Sequence, residues 1–202
     1  MHPAEELERV AAVVRARGEG FTPDVYGTGN LVEAFEAEMA ELLGKDAARF
    51  MPSGCMAQPI ALRVASDRSG RKTVAFHPTS HLEIHEHHGY RELHGLSSTL
   101  IGDASRPIVA KDLAVLGEGE EAPACLLVEL PAREIGGQLP SWDELVELCG
   151  AARARGIPHL HMDGARLWQV PAAYGKTLKE VCELFDSVYV VREKKGEKKY
   201  TH

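Results

Sequence analysis

The sequence has no run approaching about 18 consecutive apolar residues, so it offers no segment of the kind that spans a bilayer as a helix. Its opening stretch, MHPAEELERVAAVVRARGEG, is charged throughout, reads as helical and lacks the apolar core of a secretory signal. Cysteine is scarce: Cys55, Cys125, Cys149 and Cys182 stand far apart. Without a CxxC pair, neither a zinc ribbon nor a redox motif is suggested, and reduced, mostly buried thiols are the expectation. Nor is there a surplus of positive charge. The 30 acidic and 23 basic side chains leave a net charge of −7, the wrong sign for a general nucleic-acid binder. Internal repeats and low-complexity linkers are also missing. These absences point to a cytoplasmic globular protein with neither membrane nor nucleic acid as a partner. Its 202 residues, 44% hydrophobic, suffice for one domain, with room for an arm.

What is present is an alternation of two periodicities. Leu31, Phe35, Met39 and Leu42 recur at helical spacing, with Asn30 placed as an N-cap and Glu33 at the capping-box position. Ser141-Trp142-Asp143-Glu144 is a second capping box, opening a helix whose inward face carries Leu145, Leu148, Cys149 and Ala152. Between such helices lie short apolar runs at Thr73–Phe76, Ser98–Ile101, Ala124–Leu130 and Ser187–Val191. A fifth, Pro158–Met162, is weakened as a strand by its two histidines. Continuous hydrophobicity suits strands covered on both faces. The alternation therefore predicts an α/β fold with a mostly parallel sheet, whose ligand sits outside the carboxyl ends of the strands.

Four segments carry groups able to do chemistry. Pro52-Ser53-Gly54-Cys55 lies where a helix should start, and free N–H groups with the positive end of the helix dipole make such a junction an anion site. Pro59, soon after, is expected to tighten or delay the first regular turn. Taken alone, Ser-Gly before a helix is an ordinary cap. Asp163 and Arg166 follow the Pro158 segment, at a strand end where a carboxylate can touch a ligand, although an Asp near an Arg equally forms a structural ion pair. The stretch from His77 to His94 holds His81, His85, His87 and His88, with no further cluster of Cys or acidic ligands to complete a metal site. Lys194 and Lys195 follow the last strand, in a polar, Lys-rich stretch 192–202 with no hydrophobic pattern, expected to be a disordered tail.

Taken in order, YGTGNLVEAFEAEMAELLGKDAARFMPSGCMAQ, TSHLEIHEHHG, LLVELPAREIGGQLPSWDELVELCGAARARGIPHLHMDGARLW and AAYGKTLKEVCELFDSVYV resemble the threonine aldolase and aromatic amino acid β-eliminating lyase group of pyridoxal 5′-phosphate (PLP) enzymes. The resemblance implies the aspartate aminotransferase-like fold, a three-layer large domain here incomplete at its C-terminus, and an assembly of two or four copies. It divides the chain into a helical arm (1–25), a partial PLP-binding domain (26–191) and the Lys-rich tail. It also implies roles for particular residues. Ser53, Gly54 and Cys55 would bind the cofactor phosphate, with Cys55 where the family commonly has Thr. His81 would stack on the pyridine ring and serve in proton transfer. Asp163 would pair with the ring nitrogen, and Arg166 would sit near the phenolic oxygen or the substrate carboxylate. Glu86 and Glu129 fall at acidic family positions without an assigned role. Lys194 aligns with the Schiff-base lysine, although Val191, Arg192, Glu193 and Lys195 replace the family's small, glycine-rich surroundings. The implied reaction is cleavage of L-threonine or L-allo-threonine to glycine and acetaldehyde. The alternatives are β-elimination and a non-catalytic remnant, and a histidine metal module is more distant.

Overall fold

Short strands and longer helices alternate along the chain as the hydrophobic pattern requires. A computed structural model describes them for residues 2–18, 24, 26, 27 and 29–191. Three helices come first: α1 (Pro3–Ala16), α2 (Asn30–Leu43) and α3 (Gly54–Ser69). Strand β1 (Thr73–Phe76) is followed by the short α4 (His81–Ile84) and α5 (Gly89–Glu92), then by β2 (Ser97–Leu100). After β3 (Cys125–Glu129) come α6 (Trp142–Ala154), β4 (Leu160–Gly164), α7 (Val170–Tyr174), α8 (Leu178–Glu183) and β5 (Ser187–Val190). The strands form one sheet in the order β2-β1-β3-β4-β5, parallel at every pairing.

Side chains alternate across a strand, so the sheet carries two cores. On one face Leu126, Val128, Leu160 and Met162 pack with Met39 and Leu43 of α2, Leu145 and Leu148 of α6 and Val181 of α8. On the other, Val74, Phe76, Cys125 and Leu127 meet Leu62 and Ala65 of α3, Leu82 of α4 and Tyr90 of α5. Each fully buried side chain of this size contributes about 1.5–3 kcal/mol relative to exposure. The expected three-layer α/β arrangement with a parallel sheet is the one observed.

Local signals decide where the elements begin. The Ser141 hydroxyl accepts from the Glu144 amide at 3.3 Å while the Glu144 carboxylate accepts from the Ser141 amide at 2.8 Å, so the capping box forms as read. Leu145, Leu148, Cys149 and Ala152 are all buried. Four expectations need correction. The N-cap of α2 is Gly29, whose amide donates to the Asp24 carboxylate at 2.9 Å; Asn30 falls one position inside the helix. The buried stripe of α2 is Glu36, Met39, Ala40 and Leu43, leaving Leu31 and Leu42 exposed. Pro59 does not delay α3, which is helical from Gly54. Strand β4 starts and ends two residues later than read, which brings Asp163 into the sheet. Helix α1 buries no residue and exposes Leu7, Val10, Val13 and Val14.

The strand order fixes where to look for a site. The chain passes from β1 to β2 on one side and then returns to place β3 on the other, so the order reverses between β1 and β3. Ligands in open α/β sheets bind at such reversals, outside the carboxyl ends of the strands. His81 lies just beyond β1, Glu129 closes β3, and Asp163 stands opposite Glu129 in register.

Candidate active site

Helix α3 supplies one wall. Its N-cap, Ser53, is extended and makes no side-chain capping bond, so the first amides of a 16-residue helix lack a side-chain acceptor. Ser53 and Cys55 are both exposed there. A Cβ built on Gly54 would come within 2.2 Å of the Tyr189 hydroxyl and 2.8 Å of its ring carbon Cζ, so only glycine lets the helix start this close to β5. An open groove of about 950 Å³ passes this corner and is lined by Ser53, Gly54, His161 and Tyr189, among others.

Strand β4 supplies the floor. Asp163 is 3% exposed. Its Oδ1 accepts from the Ala165 amide at 3.1 Å, and its Oδ2 accepts from Gln58 Nε2, one turn into α3. Burial raises the Asp163 carboxyl pKa, and these two hydrogen bonds oppose the rise. In register beside Asp163, Tyr189 is held above its ordinary pKa by burial and by the charges of Asp163, Cys55 and Glu86. The helix start and the carboxylate are therefore linked through Gln58 and Tyr189.

The segment after β1 brings further titratable groups close to these. His81 Nδ1 lies 2.9 Å from Glu86 Oε1, and this bond raises the histidine pKa, assisted by the charges of Glu86, Asp163 and Glu129. The Glu86 side chain is only 4% exposed, and its Oε2 is buried without a hydrogen-bond partner among the described residues. Burial raises the Cys55 thiol, with the charge of Glu86 and a side-chain hydrogen bond to it contributing. Arg166 Nη1 stands 4.0 Å from Glu129 Oε1. Glu129 accepts from the Arg133 amide at 3.0 Å, and burial pushes its carboxyl up to about 7.

Pairwise contacts and charges link Gly54 with Tyr189, Cys55 with Glu86, His81 with Glu86 and Asp163, and Arg166 with Glu129, while Ser53 and Gly54 line the groove described above. Lys194 and the stretch 192–202 lie outside the described residues. Tyr189 and Gln58 were not singled out from sequence; both lie inside segments that read as ordinary strand and helix. Among the described residues no group of three or more His, Cys, Asp or Glu is placed to hold a metal ion, and no helix is long and apolar enough to cross a membrane. Two histidines of the segment are engaged elsewhere. His77 is buried against the backbone carbonyls of Asp103 and Arg106, and His85 Nε2 lies 3.0 Å from Glu134.

The chain as a whole has counterparts among known proteins. The chain is 33% identical over 192 residues to aldolase vrtJ of Penicillium aethiopicum, covering 92% of this chain and 47% of that protein. It is 30% identical over 174 residues to the low specificity L-threonine aldolase of Escherichia coli K12, covering 85% and 51%. A crystal structure from Listeria monocytogenes, provisionally named an L-allo-threonine aldolase, superposes with a TM-score of 0.83 at 43% identity, covering 91% of this chain and 50% of that one. The chain spans about half the length of the curated relatives it matches. The profile described as beta-eliminating lyase matches residues 3–197, nearly the whole chain, and the protein belongs to that family.

Proposed function

We propose that this protein is a PLP-dependent aldolase that cleaves a β-hydroxy-α-amino acid, L-threonine or L-allo-threonine, to glycine and an aldehyde. The observation that carries the reading is the uncapped start of α3 held next to a buried carboxylate, the two joined through Gln58 and Tyr189. A phosphorylated pyridine needs both features, an anion site at one end and a negative partner for a protonated nitrogen at the other.

Ser53, the Gly54 and Cys55 amides and the Cys55 thiol would hold the phosphate, with the thiol a weaker partner than a hydroxyl. Asp163 would face the ring nitrogen. His81 would cover the ring face, Arg166 would bind the phenolic oxygen or the substrate carboxylate, and Lys194 would supply the amine that holds the cofactor between turnovers. Bound PLP supplies the electron sink that weakens bonds at the substrate Cα. The residues then have to move protons. With Nδ1–H donating to Glu86, His81 presents Nε2 as the base, the orienting logic of a histidine held by a carboxylate. The β-hydroxyl proton passes to Nε2, the C–O bond becomes a carbonyl as Cα–Cβ breaks, and Cα takes up a proton to leave glycine.

Purified protein given PLP and L-threonine should release glycine and acetaldehyde in equal amounts. Pyruvate and ammonia would instead mark β-elimination, a reading favoured by the family's own description. Neither product, with no visible absorbance gained that Lys194→Ala removes, would identify a non-catalytic remnant. The same reading makes 1–25 an arm, 26–191 the cofactor-binding unit, and the protein a cytoplasmic homo-oligomer. Support comes from the exposed apolar face of α1 and from four unpaired cysteines, three of them buried.

A further inference from the structure

Behind Asp163 stands a row of polar side chains for which the proposed chemistry has no role. His159, His161 and Asp163 are two residues apart and so share one face of the sheet, the face that α3 covers. Leu160 and Met162, between them, belong to the opposite core. His161 and Gln58 are each 2% exposed. Hydrogen bonds join the row without a gap. Gln58 Nε2 donates to Asp163, and Gln58 Oε1 lies 3.1 Å from His161 Nε2. His161 Nδ1 is 2.7 Å from Ser187 Oγ, which is in turn 2.7 Å from His159 Nε2.

The first bond sets the direction of all the others. An ionised carboxylate only accepts, so the Gln58 amide nitrogen faces Asp163 and its oxygen faces His161. That oxygen also only accepts, which puts the His161 proton on Nε2. Burial holds the His161 pKa down at about 3, so the ring is neutral and Nδ1 is bare. Nδ1 then accepts from the Ser187 hydroxyl, whose oxygen accepts from His159 Nε2–H. Every donor points toward Asp163.

Leu62, Cys125 and Leu127 make the neighbouring part of this layer apolar, and an apolar side chain would pack in place of His161 or Gln58 without desolvation cost. The row begins at half-buried His159 and ends on the buried Asp163 carboxylate. We propose that Gln58, His161, Ser187 and His159 form a one-way hydrogen-bond chain that keeps Asp163 ionised and fixed in orientation, with Gln58 and His161 as its positioning residues. What Asp163 then meets rests on the PLP reading; the chain and its effect on the carboxylate do not. Such a chain has a job here. Burial favours the neutral acid, which cannot hold a protonated ring nitrogen. Other charged groups also face these residues. His81 and Arg166 favour the Asp163 carboxylate and Glu129 opposes it, while Asp186, Arg68, Arg153 and Lys45 surround His159.

The test uses the full chain without cofactor, labelled for NMR at histidine nitrogens and aspartate carboxyl carbons. His161 should be the neutral Nε2–H tautomer throughout the folded range. In Gln58→Leu the Asp163 ionisation constant should fall roughly tenfold, a shift of about one pH unit upward, the loss expected for one hydrogen bond to a charge. His161→Phe should shift it in the same direction. His161→Gln, whose amide can donate to Gln58 and accept from Ser187, should restore the wild-type value, which a purely space-filling role would not require. An Nδ1–H tautomer at His161, or an Asp163 midpoint unmoved in folded Gln58→Leu, overturns the proposal. Should Gln58→Leu fail to fold, the tautomer and the His161→Phe and His161→Gln pair decide. Titration with pyridoxine 5′-phosphate is a separate arm. If it does not bind while the midpoints shift as stated, the chain stands and the cofactor reading falls.

Discussion

Replacing Glu129 by glutamine is expected to stabilise the cofactor-free protein by an amount that depends on pH. Glu129 closes β3 with a side chain only 9% exposed. Burial, reinforced by the charge of Asp163 across the register, pushes its carboxyl from the ordinary 4.5 to about 7. A folded-state value above the unfolded one means that the folded protein binds the proton more tightly. The stability linked to this group is therefore fully present below about pH 4.5 and is lost as pH rises through about 7. At about 1.4 kcal/mol per pH unit, the gap corresponds to roughly 3 kcal/mol, most of it developing between about pH 5 and about pH 8. Glutamine keeps the volume and the acceptor for the Arg133 amide but cannot ionise. Urea unfolding of Glu129→Gln and wild type should differ by no more than about 1 kcal/mol near pH 5, and by roughly 2–3 kcal/mol in favour of the variant near pH 8. Curves that stay parallel across this range would refute the reasoning, because only ionisation of Glu129 separates the two proteins.

Three further outcomes follow from the packing. Gly54→Ala places a Cβ against the Tyr189 hydroxyl and should cost about 1–2 kcal/mol in urea unfolding, as overpacking outweighs the helix propensity gained. Added to Tyr189→Val, the same alanine should cost little or nothing. Leu145→Ala, at a fully buried position on α6, should lose about 2–5 kcal/mol by thermal or chemical unfolding. Ser141→Ala should cost about 1 kcal/mol by the same measurement, since it removes the acceptor for the Glu144 amide.

The layers of the fold were legible because the strands are continuously apolar and the capping box at Ser141 has a single local solution. Boundaries shifted where tertiary contacts replaced local ones. The Asp24 carboxylate organises the amides of Tyr26, Gly27 and Gly29, which makes a glycine the cap of α2 rather than Asn30. At the site, Gly54, His81, Asp163 and Arg166 lie in segments that the sequence marks by local chemistry, and the resemblance attaches a role to each. The two histidines of Pro158–Met162 counted against a strand, yet His-Leu-His-Met-Asp alternates polar and apolar at period two, the pattern of a strand with one polar buried face. Read that way, the segment announces both β4 and the row behind Asp163. Tyr189 carried no such signal. Its importance comes from the close approach of β5 to the start of α3, a contact between residues far apart in sequence.

The most direct measurement is calorimetric titration with pyridoxine 5′-phosphate, which has the ring and the phosphate but no aldehyde for any lysine to capture. Wild-type protein should bind one equivalent, inorganic phosphate should compete, and Asp163→Asn should weaken binding roughly tenfold or more, the loss expected for a charged hydrogen bond. Binding that is indifferent to both phosphate and the Asp163 substitution would contradict the account, because the helix start and the buried carboxylate would then not be holding the two ends of one ligand.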